Sequence, residues 1–138
     1  MKKRIVILGA GESGAGAAAL AKKEGFDVFV SDMSKIAPRY KQMLDERHIE
    51  WEEGQHTESL ILNADEIIKS PGIPETAPMV LKAKEQGIGI ISVCEIRDEE
   101  GQKVCELAFC NTHFPVCVIF FVIIGPFQPD MIVLHVFD

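Results

Sequence analysis

Short apolar runs alternate with longer amphipathic stretches along the first two thirds of the chain. The apolar runs are rich in Val and Ile and are only four to six residues long, which is typical of buried strands. This pattern predicts strands at Arg4–Leu8, Asp27–Ser31, Glu66–Lys69 and Gly89–Ser92, and a weaker one near Ile49–Glu52.

The stretches between these strands predict helices with ordinary start and stop residues. Pro38 and Pro78 suit the first turn of a helix, whereas Gly25 and Gly87 suit its end. The predicted helices are Ser13–Glu24, Pro38–Arg47 and Ala77–Gln86, with a short helical turn near Thr57–Leu62. Alternating strands and helices joined by right-handed crossovers predict an α/β fold with a doubly wound, Rossmann-like parallel sheet.

The composition changes near residue 100. All 14 Lys and Arg residues lie between Lys2 and Lys103, and only three acids follow. We therefore predict a Rossmann-like domain at residues 1–96 and a separate tail at residues 97–138. The runs VCVIFFVIIG (116–125) and MIVLHVF (131–137) are compatible with a buried β-hairpin, but uncharged windows of this kind are equally typical of disordered, aggregation-prone sequence.

Composition and charge exclude several classes of protein. The net charge of −7 argues against nucleic acid as a partner, because phosphate backbones require clustered Lys and Arg. No run approaches the roughly 18 apolar residues of a membrane span, and the apolar part of MKKRIVILGAG is too short for a signal peptide. We therefore expect a cytoplasmic protein whose four cysteines are free thiols.

The first predicted strand leads into the loop GAGESG, which matches the dinucleotide-binding pattern G-x-G-x-x-G. Gly9 would allow the sharp turn, Gly11 would let a diphosphate approach the backbone, and Gly14 would let the helix pack closely. Asp32 follows about twenty residues later, where such domains place the acid that binds a ribose. Glu12 would repel phosphate unless its side chain points outward. Each feature also has an explanation without a ligand. The glycine loop would then be a plain turn, and Asp32 would cap a helix.

A second loop, KSPGIPETAP, follows the strand at Glu66–Lys69. Pro71 has a fixed φ, while Gly72 can adopt a positive φ and leaves the backbone open to a ligand. Ligands of α/β sheets bind at the carboxyl ends of the strands, where Ser70, Pro71 and Gly72 would lie. As a bare motif, S-P-G fits a simple turn equally well.

Taken together, VILGAGESGAGAA, Asp32 and ADEIIKSPGIP resemble the N-terminal domain of the Mur ligases, and within that family the D-glutamate-adding ligases of peptidoglycan synthesis. The resemblance covers about residues 3–92. It implies that the domain binds the uridine nucleotide of UDP-N-acetylmuramoyl-L-alanine or a related UDP-sugar. The implied contacts are Glu12, Ser13 and Gly14 at the diphosphate, Asp32 and Ser34 at the uridine, and Ser70, Pro71 and Gly72 near the nucleotide and sugar.

The sequence departs from the family after Ser92. Full-length members use ATP and Mg²⁺ in a central domain with a G-x-x-G-K-[ST] loop, and these 138 residues contain no G-K-[ST]. Only Glu95 and Ile96 hint at the family's acidic junction. The chain therefore resembles a truncated first domain with an unrelated tail. We expect no cofactor in this chain, no catalytic residues and no ligase activity on its own.

The sequence also allows other hypotheses about function. An NAD(P)-binding oxidoreductase fragment would explain the glycine loop and Asp32, and a non-binding structural domain would explain an apolar tail that self-associates through residues 116–137. The spacing C-x4-C-x2-H-x3-C offers four zinc-type ligands, but its apolar flanks favour idle thiols and no metal site. These residues are Cys105, Cys110, His113 and Cys117. We expect His48 and His56 to face solvent, His135 to lie in a strand, and residues 98–100 to form a charged turn.

Overall fold

The computed structural model describes residues 2–97, 103–110, 118–122 and 131–135, with side chains described for residues 2–91. The elements are β1 (Arg4–Leu8), α1 (Glu12–Lys23), β2 (Asp27–Asp32), α2 (Pro38–Glu46), β3 (Glu50–Glu53), α3 (Glu58–Ile61), β4 (Glu66–Lys69), α4 (Pro78–Glu85), β5 (Gly89–Arg97), β6 (Lys103–Cys110), β7 (Val118–Val122) and β8 (Met131–His135).

The sheet has the strand order β3-β2-β1-β4-β5-β6-β7-β8. Its first five strands pair in parallel, which confirms the predicted α/β, Rossmann-like fold. The order reverses between β1 and β4, because β2 lies on one side of β1 and β4 on the other. In doubly wound sheets such a reversal opens a crevice above the carboxyl ends of the strands.

Helices cover both faces of the parallel part of the sheet. On β1, Ile5 and Ile7 contribute to one buried cluster together with residues of α1 and α2, while Val6 and Leu8 contribute to the other with α3 and α4. Strands buried on both faces read as continuous apolar runs, which is why β1 could be predicted to the residue. The positive φ of Gly25 and Gly87 confirms the predicted ends of α1 and α4.

The strands after β4 depart from the predicted pattern in two respects: β5 is longer than expected, and β6 was not predicted. β5 was expected to end at Ser92 but continues to Arg97, where it pairs with β6 in antiparallel orientation. β7 and β8 then pair antiparallel, which is the hairpin arrangement among the two alternatives given for the apolar runs. These strands extend the same sheet. The predicted division into residues 1–96 and 97–138 stays a prediction.

Candidate functional site

A cleft of about 740 Å³ opens at the carboxyl ends of β1, β2 and β4. It lies at the reversal of strand order, which is where α/β sheets bind their ligands. Five of the predicted site residues line it, namely Gly9, Gly11, Asp32, Ser34 and Ser70. The other five predicted residues do not line the cleft: Glu12, Ser13 and Gly14 begin α1, and Pro71 and Gly72 lie in the loop after β4.

The glycine loop, Gly9–Gly14, turns the chain from β1 into α1. Gly9 has a φ of +91°, and its N–H donates to the carbonyl oxygen of Ser31 at 2.9 Å. A Cβ at position 9 would lie 2.5 Å from Oγ of Ser70, so the loop also packs against the end of β4. Both the turn and this close approach require glycine at position 9.

Gly14 and Gly11 have different structural reasons for being glycine. A Cβ on Gly14 would overlap the carbonyl oxygen of Gly9, so this glycine lets α1 pack against the loop, as predicted. Gly11 has an ordinary φ of −74°, and a Cβ there would meet no atom within 4 Å. Neither backbone conformation nor packing within the described residues therefore requires glycine at position 11.

Glu12 and Ser13 begin α1. Glu12 is exposed in the first turn, where a carboxylate complements the positive end of the helix dipole, and it does not line the cleft. Ser13 is buried, with 6% of its surface exposed. The backbone N–H groups of this first turn are directed toward the loop, as at any helix N-terminus, and such groups favour anions.

Asp32 ends β2 and holds the glycine loop in place. Its Oδ2 accepts a hydrogen bond from the N–H of Ala10, and its Oδ1 accepts one from the N–H of Ser34, both at 2.8 Å. The side chain therefore acts as a turn residue and also lines the cleft. Each carboxylate oxygen can accept a further hydrogen bond, so these contacts leave Asp32 able to bind a ligand.

The S-P-G loop after β4 is fixed by a buried lysine that sequence analysis missed. Lys69 is only 4% exposed, and its Nζ donates to the carbonyl oxygen of Ile73 at 2.9 Å and pairs with Glu75 at 3.3 Å. Lys69 thereby ties both ends of the loop together beside the cleft. Pro71 and Gly72 are exposed, and Gly72 does not adopt the positive φ that the motif allowed.

A polar network joins the ends of β2 and β3 and consists of Ser31, Glu52, Gln55, His56 and Thr57. Ser31 is fully buried, and its Oγ lies 2.8 Å from Oε1 of Glu52, 2.6 Å from Nδ1 of His56 and 3.2 Å from the carbonyl oxygen of Gln55. Glu52 also accepts hydrogen bonds from the N–H and the hydroxyl of Thr57.

The network shifts two pKa values downward. Burial alone would raise the pKa of Glu52, but the hydrogen bonds from Thr57 and Ser31 outweigh it and hold that pKa below its usual value. Burial lowers the pKa of His56, although Glu52 and Asp32 act in the opposite direction. At neutral pH the network therefore holds an ionised Glu52 and a neutral His56.

The prediction that His56 faces solvent is wrong, because His56 is partly buried and lines the cleft. His48 is exposed, as expected. The sequence contains only a weak indication of this polar network, namely that Ser31 is a polar residue at the end of an apolar strand. Ser31 lies beside Glu52 only because β2 and β3 pair in parallel. That pairing register was not evident from either segment.

The remaining predicted features fall largely outside the described side chains. Cys105 and Cys110 belong to β6, while His113, Cys117 and the charged residues 98–100 lie outside the described residues. Within the described part of the chain, no group of three or more His, Cys, Asp or Glu residues could hold a metal ion. The helices found there are also too short and too polar to cross a membrane.

The sequence model of the family described as Mur ligase MurD-like, N-terminal domain, matches residues 3–92. The chain belongs to the Mur ligase family. The predicted resemblance is thus confirmed, and with it the ligase family of peptidoglycan synthesis as the context of this domain.

Individual relatives agree with this assignment. The chain is 64% identical over 105 residues to the UDP-N-acetylmuramoylalanine–D-glutamate ligase of Bacteroides thetaiotaomicron, which covers 75% of this chain and 24% of the relative. It is 59% identical over 95 residues to the same ligase of Porphyromonas gingivalis, covering 69% of this chain and 21% of the relative. The chain therefore spans less than a quarter of the length of these ligases.

Solved structures of Mur-type ligases share the fold. The UDP-N-acetylmuramate:L-alanyl-gamma-D-glutamyl-meso-diaminopimelate ligase from Neisseria meningitides aligns with a TM-score of 0.57 and 27% identity, covering 67% of this chain and 29% of that one. A pseudomurein peptide ligase type C from Methanothermus fervidus aligns with a TM-score of 0.59 and 29% identity, covering 66% of this chain and 19% of that one.

Proposed function

We propose that this Mur ligase domain binds the uridine diphosphate part of UDP-N-acetylmuramoyl-L-alanine in the cleft above β1, β2 and β4. The name of the Bacteroides thetaiotaomicron relative gives UDP-N-acetylmuramoylalanine as what that ligase acts on. A cleft of about 740 Å³ is within the roughly 300–1,000 Å³ typical of small-molecule sites.

The observation that carries this proposal is the open position at Gly11. Packing within the described residues does not require glycine there, whereas a diphosphate lying against the loop would. The N-terminus of α1 supplies N–H donors for the phosphate oxygens. In this arrangement Gly9 and Gly14 shape the loop, and Glu12 and Ser13 belong to the turn that meets the diphosphate.

The nucleoside would extend from the glycine loop toward the end of β2. Asp32 and Ser34 line that part of the cleft and carry oxygen acceptors for ribose or base donors. Ser70 lines the opposite side, and Pro71 and Gly72 continue its loop toward the sugar. The apolar part of the wall includes Ile73 and Met79.

We propose further that these 138 residues do not carry out ligation by themselves. The printed sequence contains no G-x-x-G-K-[ST] loop, whose Lys and hydroxyl residue position the phosphates and Mg²⁺ of ATP. ATP and Mg²⁺ would act in the full-length ligase and not in this chain. A phosphate-release assay with ATP, D-glutamate and the UDP-sugar tests this, and turnover above the protein-free rate would contradict it.

Isothermal titration calorimetry of the full chain with UDP-N-acetylmuramoyl-L-alanine, UDP and NADH tests the binding proposal. We expect heat from both uridine ligands, and a Gly11→Ala variant should weaken both on the order of tenfold, or about 1.4 kcal/mol. Gly16→Ala is the matched control, since a Cβ there also meets open space but Gly16 lies outside the cleft lining. Binding of NADH without UDP, or of neither, would contradict the proposal.

We also propose that the tail associates with a second copy of the chain. β8 is the last strand in the order of the described sheet, and its sequence MIVLH carries no acid, Lys or Arg. An uncharged edge strand is a template for pairing with another strand. Sedimentation should show concentration-dependent dimers that Val133→Lys abolishes, and a monomer at all concentrations would contradict this.

A further inference from the structure

Ser31 has a single hydroxyl proton to donate. Its Oγ has three neighbours within hydrogen-bond distance, and two of them, Oε1 of Glu52 and the carbonyl oxygen of Gln55, can only accept. Glu52 is held in its ionised form by Thr57 and Ser31. The one proton of Ser31 is therefore directed to an acceptor other than His56.

The third neighbour, Nδ1 of His56 at 2.6 Å, must then donate to Oγ of Ser31. If Nδ1 carried a lone pair instead, there would be no proton either between Nδ1 and Oγ at 2.6 Å or between Oγ and the ionised Oε1 of Glu52 at 2.8 Å, and two lone pairs would face each other at that contact. In neutral imidazole only one nitrogen carries a proton. The hydrogen-bond network therefore assigns the proton to Nδ1 and leaves Nε2 as an acceptor.

Nε2 of His56 has no partner among the side chains and backbone atoms of residues 2–91, and the ring lines the cleft. Asp32 lines the same region and is likewise an acceptor. In the proposed binding mode the ligand meets two chemically different ends: the N–H donors of the α1 N-terminus, and the acceptors Asp32 and His56 that line the cleft. A phosphate, which offers only acceptors at neutral pH, is matched by the first end and not by the second.

We propose that His56 is a ligand-binding residue, whose Nε2 accepts a hydrogen bond from an N–H or O–H donor of the nucleoside. This proposal rests on the binding of a uridine nucleotide proposed above. Uracil provides one such donor at N3 and ribose provides hydroxyl donors. The acceptor end would orient the ligand, with its diphosphate on α1 and its nucleoside over His56.

Long-range ¹H–¹⁵N NMR of the full ¹⁵N-labelled wild-type chain measures the tautomer of His56 directly. We expect protonated Nδ1 and unprotonated Nε2 for His56 at neutral pH, and a His56→Gln spectrum identifies its signals among the four histidines. Addition of UDP should shift Nε2 more than Nδ1, because only Nε2 would gain a partner. Protonated Nε2, or no shift when calorimetry shows binding, would overturn the proposal.

Calorimetry distinguishes loss of the proposed contact between His56 and the nucleoside from a disturbance of the fold. His56→Phe keeps an aromatic ring and should weaken UDP binding on the order of five- to tenfold. N3-methyl-UDP removes the base donor and 2′-deoxy-UDP removes one ribose donor. The analogue that lacks the contacted donor should bind wild type more weakly and lose nothing further in His56→Phe.

Ser31→Ala provides the matched control, because it keeps the imidazole but removes its tautomer anchor. We expect a mixed His56 tautomer and an intermediate loss of affinity. If wild type binds UDP and His56→Phe binds it equally well, the His56 contact is wrong and the proposed function stands. If wild type does not bind UDP at all, both are wrong.

Discussion

The glycine loop and the polar network meet the same cleft from neighbouring strands, but they are built from different parts of the chain. The glycine loop is a continuous stretch whose shape depends on backbone and on the absence of side chains at Gly9 and Gly14. The polar network joins β2 to the segment after β3 through side chains such as Ser31 and His56. In the proposed binding mode the glycine loop would supply N–H donors to the diphosphate, and the polar network presents an acceptor to the cleft.

This difference gives the two regions different sensitivities. The loop has no room for a Cβ at Gly9 or Gly14, so it should respond to changes in side-chain volume at these positions and little to pH. The network is partly buried and holds two groups with shifted pKa values, so it should respond to protonation. Asp32 connects the two, because it follows Ser31 directly and accepts from the N–H of Ala10 in the loop.

We expect the largest difference in the free energy of unfolding between Gly14→Ala and Gly16→Ala, two substitutions in the same helix. A Cβ at position 14 overlaps the carbonyl oxygen of Gly9, whereas one at position 16 meets nothing within 4 Å. We expect Gly14→Ala to cost about 3 kcal/mol through overpacking. Gly16→Ala should stabilise the chain by up to about 1 kcal/mol because alanine favours helix.

Urea unfolding followed by circular dichroism measures both variants. Equal effects of the two substitutions would show that Gly14 is not in tight contact with the loop. That outcome would also remove the reason for expecting the glycine loop to be sensitive to side-chain volume.

The next largest effect should come from breaking the connection at Asp32. Asp32→Ala removes the acceptor of two N–H groups, those of Ala10 and Ser34, and should cost about 2 kcal/mol. Asp32→Asn keeps one acceptor oxygen and should cost roughly half as much. Thermal unfolding of both variants checks the order, and an Asp32→Asn variant as unstable as Asp32→Ala would refute it.

The sequence predicted features formed by neighbouring residues well. It predicted features that depend on contacts between distant segments poorly. β1 and β4 were predicted to the residue, because strands buried on both faces are continuous apolar runs. The glycine loop was evident from its spacing. The polar network was not, since Ser31 meets His56 only through the pairing of β2 with β3, and the burial of Lys69 depends on how the S-P-G loop folds back.

A smaller effect should appear as a dependence of stability on pH that arises from the polar network. His56 has a pKa below the usual 6.5, so the unfolded chain binds more protons as pH falls below that value, and stability decreases. Glu52 has a pKa below the usual 4.5, so its contribution is present above that value and is lost at lower pH.

Unfolding free energies at about pH 7.5 and about pH 5.5 distinguish His56 from Glu52, since of these two side chains His56 is the one that titrates in that window. Wild type should be less stable at the lower pH, and His56→Gln should lose that dependence. Gly16→Ala should retain it, because it leaves the network intact. A wild-type chain whose stability stays constant between these values would contradict the neutral His56 on which the tautomer assignment depends.

The smallest effect concerns Glu12, the acid within the glycine loop. Its carboxylate is exposed in the first turn of α1 and does not line the cleft, so it should not face the diphosphate. We expect Glu12→Gln to cost about 0.5 kcal/mol of stability, because a charge that complements the helix dipole is lost. UDP affinity should change by less than about twofold. Calorimetry checks this, and a clear gain in affinity would mean that Glu12 turns toward the phosphates and that the loop binds them despite an opposing charge.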